Sequence, residues 1–245
     1  MASEAGHWYD KDGNPAYTTI GKNGVERPTT LRDAKKLGLV PSVTTIIRCA
    51  AAPGLENWKQ DQAILAALTC PRIDGEDEAS YLSRIKKDAA EQARKAAERG
   101  TQIHAWVQAG FEGKELPPDG LIYYHSAKKE LLDTCGDVCW ISENPFATPR
   151  YGGKCDLYTK EYLIDIKTTD KDITMVQTWP EHAMQLAAYD WGIGTYLRKC
   201  GILFINSLSA ESRVIWVDGY DLEKGRACFN ALLDYFYAKT GLEAA

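Results

Sequence analysis

The fold turns on Tyr151 to Tyr189, YGGKCDLYTKEYLIDIKTTDKDITMVQTWPEHAMQLAAY, where two strand patterns meet at a turn and a helix pattern follows. Period-two alternation marks Gly153 to Tyr158 and Tyr162 to Thr168 as strands, with Lys160 and Glu161 at the centre of the hairpin turn. A loop centred there pairs Tyr158 with Leu163, Leu157 with Ile164 and Asp156 with Asp165. Lys154, Asp156 and Tyr158 then share one face with Leu163, Asp165 and Lys167, while Cys155, Leu157, Ile164 and Ile166 form the opposite, apolar face. The same register sets Lys154 across from Lys167.

Directly opposed carboxylates lie roughly 5 Å apart at Cβ and repel one another. A divalent cation between them, or a shared proton that raises one pKa, relieves the repulsion. Lys167, on the face of Asp165, favours the cation, because phosphodiester hydrolysis needs a cation-activated water beside an ammonium. Oxygen ligands of this kind suit Mg2+ or Mn2+. A bare Asp165-x-Lys167 is equally what a solvated sheet face looks like, its charges paired in water. The surrounding residues weaken that alternative.

Four motifs stand in order: Arg99-Gly100-Thr101-x-x-His104, Gly153-x-x-Asp156, Asp165-Ile166-Lys167-Thr168 and Gln185-x-x-x-Tyr189. Together they resemble the PD-(D/E)XK nuclease superfamily, and within it the branch of the RecB nuclease domain, the CRISPR-associated RecB-like exonucleases and the mitochondrial genome maintenance exonuclease. The resemblance covers Pro41 to Tyr189, and the run PSVTTII from Pro41 to Ile47 is similar to the segment opening many phage and mitochondrial members. It implies an α/β nuclease core, a mixed central sheet flanked by helices, with an N-terminal helical cap or arch over residues 1–70 and the core over 71–245 as one compact unit. It further implies a Mg2+- or Mn2+-dependent deoxyribonuclease, by analogy an exonuclease on single-stranded DNA or DNA ends.

The resemblance assigns roles residue by residue. His104, Asp156, Asp165 and the main-chain carbonyl of Ile166 would hold the cation, and the imidazole makes manganese more fitting than an all-oxygen site would. Lys167 would act with Asp165 and Asp156 in catalysis. Gln185 and Tyr189 would contact the DNA backbone or prop the catalytic strand from the next helix; Thr168 and Arg99 fall on the substrate side, where Arg99 could meet a phosphate. Glu143 matches an upstream acid that serves as an outer-shell or second-metal group, or is a plain strand Glu. Lys154 departs from the family, which often has a less charged residue there; it pairs with a carboxylate or phosphate, or depresses the pKa of Lys167 by repulsion. Two other classes stay open: a catalytically inactive, nucleic-acid-binding or inhibitory protein, and a small-molecule metal site on an unrelated sheet.

The net charge of −5 over 245 residues excludes bulk positive charge as the means of holding nucleic acid, so binding needs a local basic patch or a metal. No apolar run approaches the roughly 18 residues of a membrane span, and Met1 to Asp10 lacks a charged-then-apolar signal pattern. A soluble, cytoplasmic protein is expected, with phage or host replication and recombination proteins as partners. Seven scattered cysteines argue against a disulfide framework. With only Cys200 and Cys228 near the C-terminus, no iron-sulfur cluster is expected.

Outside the central stretch, Asp10 to Pro15 reads as a turn between short strands at Trp8-Tyr9 and Ala16 to Ile20. A calcium loop is excluded because Pro15 and Gly21 occupy the positions needing Gly and a bidentate Glu. Helices are expected over Thr29 to Leu37, stopped by Gly38; from a Ser42 cap to Ala50; from Pro53 to Leu68; from Glu76 to Phe111, interrupted at Gly100; and over Leu121 to Thr134. Trp58 in the third of these is a core aromatic or a base-stacking platform. Lys86, Lys87, Arg94, Lys95 and Arg99 form the densest basic stretch, diluted by Asp88, Glu91 and Glu98. Val138 to Phe146 reads as the first core strand. After the hairpin come a helix from Trp179-Pro180 to Tyr196, strands at Gly201 to Ser207 and Arg213 to Val217, and an amphipathic helix from Asp221 to Ala238 capped by Asp221.

Overall fold

A computed structural model of the chain describes residues 6–51, 53–194 and 198–243. In chain order the elements are β1 (Trp8–Tyr9), β2 (Thr18–Ile20), β3 (Glu26–Pro28), α1 (Leu31–Leu37), β4 (Val40–Pro41), α2 (Val43–Ile47), α3 (Pro53–Thr69), α4 (Glu78–Phe111) and α5 (Pro118–Cys135). Then follow β5 (Ile141–Ala147), β6 (Gly152–Tyr158), β7 (Tyr162–Thr169), α6 (Pro180–Gly192), β8 (Lys199–Asn206), β9 (Ser212–Trp216) and α7 (Gly219–Thr240). The expected α/β class stands: a mixed central sheet flanked by helices.

Strands β5 to β9 form that sheet in sequential order, with β7 and β8 parallel and every other neighbouring pair antiparallel. A parallel neighbour requires a crossover, and α6 supplies it. Strand β8, flanked on both edges, is buried from Cys200 to Asn206 and reads as a nearly continuous apolar run. Its side chains alternate between two cores. Ile202 and Phe204 join Leu163, α6, α7 and α2 on one side; Leu203 and Ile205 join Ile164, Ile166, α4 and α5 on the other.

The face of β7 that carries Asp165 and Lys167 is therefore covered by α6 rather than open to water, and Asp165 is 2% exposed. The expectation of a single apolar face is corrected: both faces are buried. Trp8, Ala34, Leu39, Val43 and Ile46, all within residues 1–70, pack into the same cluster as α6 and β7.

Local chemistry sets the helix ends. Thr30 and Asp33 form a capping box on α1, the Ser42 hydroxyl accepts the N–H of Thr45 at 3.0 Å to open α2, and Asp77 accepts the N–H of Ser80 at 2.9 Å to open α4. Helix α4 runs 34 residues without a break at Gly100, about 50 Å at the usual rise. Its C-terminal half buries Ile103 and Val107 against the sheet, while Tyr81 and Arg84 in its first turns bond to the segment that follows α3. On that pair Ile64, Leu65, Leu68 and Leu82 stay exposed. The last helix is capped by Asp218, whose carboxylate accepts the N–H of Asp221 at 2.8 Å, so the start is three residues earlier than the Asp221 cap expected from sequence. Helix α6 ends at Gly192; Tyr196, the expected end, lies outside the described residues.

Candidate metal and nuclease site

The hairpin turn is where the alternation places it. Thr159 N–H bonds the carbonyl of Tyr162 at 2.8 Å, and the ladder pairs Tyr158 with Leu163 and Leu157 with Ile164. There the ladder stops. The Oδ2 atom of Asp156 accepts the backbone N–H of Ile166 at 2.7 Å, taking the donor that a carbonyl of β6 would otherwise receive. Side-chain alternation slips at the same point: Cys155 lies in one core and Leu157 in the other. Two residues that a regular strand puts on one face are thus separated, as happens at a bulge.

Lys154 consequently does not face Lys167. It pairs across to Pro145 on β5, and its ammonium contacts the Oε2 atom of Glu143. Glu143 is itself irregular. The ladder pairs Ser142 with Leu157 and Asn144 with Cys155 but skips Glu143 and Asp156, and Glu143 has φ 52°. A left-handed Glu costs on the order of 1–3 kcal/mol, and the distortion carries its carboxylate towards the site.

His104 arrives from α4, its Nε2 atom 2.9 Å from Oδ2 of Asp156. Burial lowers the imidazole pKa, but the Asp156 carboxylate outweighs it and the net shift is upward. Asp156 moves the other way: burial raises its pKa, while His104, Lys167 and the Ile166 N–H bring it below the ordinary carboxylate value. One donor atom each from His104, Glu143 and Asp156 lie within 4.8 Å of one another, the group among the described residues with donors placed to hold a divalent cation. Asp165 is not in that group.

Asp165 instead belongs to a bracket built from α6. Gln185 Nε2 donates to Asp165 Oδ1 at 2.8 Å and to the Tyr189 hydroxyl at 3.0 Å, while Gln185 Oε1 accepts from Lys167 Nζ at 3.2 Å. Lys167 Nζ also lies 2.5 Å from Asp165 Oδ2. Burial first, then the Asp156 charge, lifts the Asp165 pKa to about 6 against the pull of Lys167. Gln185 and Tyr189 are 9% and 6% exposed, and the pair joins α6 to Asp165 on β7. Tyr189 packs edge-on against Phe146, and a Cβ on Gly153 would come within 2.8 Å of Tyr189 and 2.9 Å of Phe146. That close approach explains the glycine of Gly153-x-x-Asp156.

The glycine of the first motif has a similar cause. A Cβ on Gly100 would stand 2.7 Å from Oγ1 of Thr168, so a larger residue there would require the Thr168 hydroxyl to turn where α4 meets the end of β7. Gly100, Thr101, His104, Lys167 and Thr168 line an open groove of about 430 Å³ beside the site. Arg99 is exposed but turned to α5: its guanidinium donates to the Tyr123 hydroxyl at 2.8 Å and lies 5.4 Å from the Trp106 ring. Tyr123, which matches no motif, ties this to the strand end through Ser207 O at 2.8 Å. His182, likewise unmarked in the sequence, has its pKa lowered to about 4 by burial and by the Lys167 charge.

A divalent cation fits these residues. Among the described residues, Oε2 of Glu143 and Oδ2 of Asp165 are buried without a hydrogen bond of proper geometry, each lying against a lysine ammonium. Buried carboxylate oxygens left this way are atoms that a cation would satisfy.

No family model matches the chain, and no curated protein matches it. Among solved structures it is similar to a proposed exonuclease from Eubacterium rectale, at 14% identity and a TM-score of 0.40 over 59% of this chain and 69% of that one. It is also similar to an alkaline exonuclease from Laribacter hongkongensis, at 13% identity and a TM-score of 0.33 over 82% of this chain and 92% of that one. Likeness this distant carries no functional weight, and the chemistry of the site has to stand by itself.

Proposed function

We propose that the chain is a divalent-cation-dependent nuclease that hydrolyses phosphodiester bonds of DNA, acting as an exonuclease on single strands or ends. One observation carries this: a His104, Glu143 and Asp156 donor group lies beside a lysine whose ammonium is held by Asp165 and Gln185. His104, Glu143 and Asp156 would hold the ion, with Asp165 and the main-chain carbonyl of Ile166 completing the set. The mixed imidazole and carboxylate donors suit Mn2+ or Mg2+. Bound there, the cation supplies Lewis acidity, making water acidic enough to attack at neutral pH and neutralising charge on the phosphoryl oxygens.

The chain's own residues would do the rest. Lys167, with its side chain 33% exposed, keeps its ammonium within reach of a substrate oxygen while Asp165 and Gln185 fix its direction. Burial lowers its pKa, but Asp165 and Asp156 more than offset this, so it stays protonated and stabilises the transition state electrostatically. Thr168 and the small residues of α4 form the groove wall along which a strand would lie. Residues 1–70 add a cap that shares the core of 71–245.

The test is incubation of the purified chain with end-labelled linear and closed circular DNA, single- and double-stranded, with Mn2+, Mg2+ or chelator. Cation-dependent release of nucleotides from linear but not circular single strands supports the proposal. Absence of cleavage in every arm overturns it.

A further inference from the structure

A second lysine stands at the site, and the chemistry above leaves it unused. The Lys154 ammonium contacts Oε2 of Glu143, one of the three donors gathered within 4.8 Å. Glu143 is brought there by a left-handed backbone at φ 52°, and its side chain is 11% exposed. A carboxylate so buried needs a positive partner. Lys154 provides one from the rim, where its side chain is 35% exposed and its ladder partner is Pro145 on β5. The other site lysine, Lys167, is committed to Asp165 and Gln185.

We propose that Lys154 is a tethered counter-ion that competes with the divalent cation for Glu143. It neutralises the carboxylate while no divalent cation is bound. When the cation arrives, repulsion between the two positive charges at Glu143 drives the ammonium into solvent through its exposed side. Lys154 is thus a positioning residue that keeps the site assembled yet lowers its affinity for metal. This rests on the reading of His104, Glu143 and Asp156 as metal ligands.

The test uses the full chain stripped with chelator. Mn2+ affinity is measured by calorimetry for wild type, Lys154→Met, Lys154→Arg and Glu143→Gln/Lys154→Met, alongside thermal melts with and without Mn2+. Lys154→Met is expected to bind Mn2+ about tenfold more tightly, since the competing charge is gone. It should also melt lower than wild type without metal and recover with it. Lys154→Arg should bind as wild type does, and the double variant should lose the gain because the effect acts through Glu143. If Lys154→Met does not fold, Lys154→Gln takes its place. Affinity in the Met or Gln variant within roughly twofold of wild type overturns the inference and leaves the nuclease proposal intact. A wild-type chain that binds no Mn2+ overturns both.

Discussion

The carboxylate of Asp156 accepts the backbone N–H of Ile166 at 2.7 Å, and this side-chain bond ends the β6–β7 ladder. One group thereby has two tasks, since the same Oδ2 atom lies 2.9 Å from His104. Asp156→Ala is expected to leave the Ile166 N–H unpaired and to cost about 1–3 kcal/mol, besides abolishing cleavage. Asp156→Asn keeps an acceptor and should fold nearly as well while losing metal. Urea denaturation and Mn2+ calorimetry on the two variants separate the tasks; equal metal binding in Asp156→Asn would remove it as a ligand.

Lys167→Ala should lower the rate of cleavage by about 10² to 10³ at saturating Mn2+, the loss typical of removing one preorganised electrostatic contact. Its removal leaves the buried Asp165 carboxylate without its ammonium, so the variant should melt lower without Mn2+ and recover with it. Single-turnover rates decide the matter, and a rate near wild type would end its assignment.

Gln185 grips both ends of the Asp165–Lys167 pair from α6. Gln185→Leu should therefore reduce kcat by about tenfold or more, through lost orientation, and leave KM for DNA within a few-fold of wild type. A variant with unchanged kcat and a much higher KM would mean that the residue meets DNA directly.

Gly153→Ala should destabilise the chain by about 1–3 kcal/mol, because the added methyl presses on Tyr189 and Phe146. Gly54→Ala in α3 is the control: nothing lies within 4 Å of its Cβ, and helix propensity predicts a neutral or slightly stabilising change. Thermal melts that rank the two the other way would contradict this packing.

The Asp165 pKa, raised to about 6, makes a prediction for metal-free protein. A carboxyl whose folded pKa exceeds its unfolded value of 3.8 contributes stability that is complete below 3.8 and is lost as pH rises through about 6. With chelator present, wild type should lose stability relative to Asp165→Asn between pH 4 and pH 7. Added Mn2+ should restore it at pH 7, since the ion takes over the role of the proton. Parallel pH–melting curves for the two proteins would show that Asp165 titrates normally.

The sequence by itself determined much of the element order: alternation located β6, β7 and the turn at Lys160 and Glu161, and Ser42 marked the start of α2 through a short-range hydrogen bond, whereas the cap of α7 and the continuity of α4 through Gly100 were not legible in it. It also placed Leu163, Asp165 and Lys167 on one face of β7, since strand period two is set by the backbone alone. Local period could not show where the pattern breaks. The slip of β6 at Asp156, the left-handed Glu143 and the turn of Lys154 towards β5 arise from a side chain competing with the ladder, a contest between residues far apart in sequence. Glu143 was visible only as a family-like acid, and Tyr123 carried no signal. Which donors come together, and which lysine faces which acid, was decided by α4 and α6 closing on opposite faces of the sheet, where burial forces each charge to find a partner.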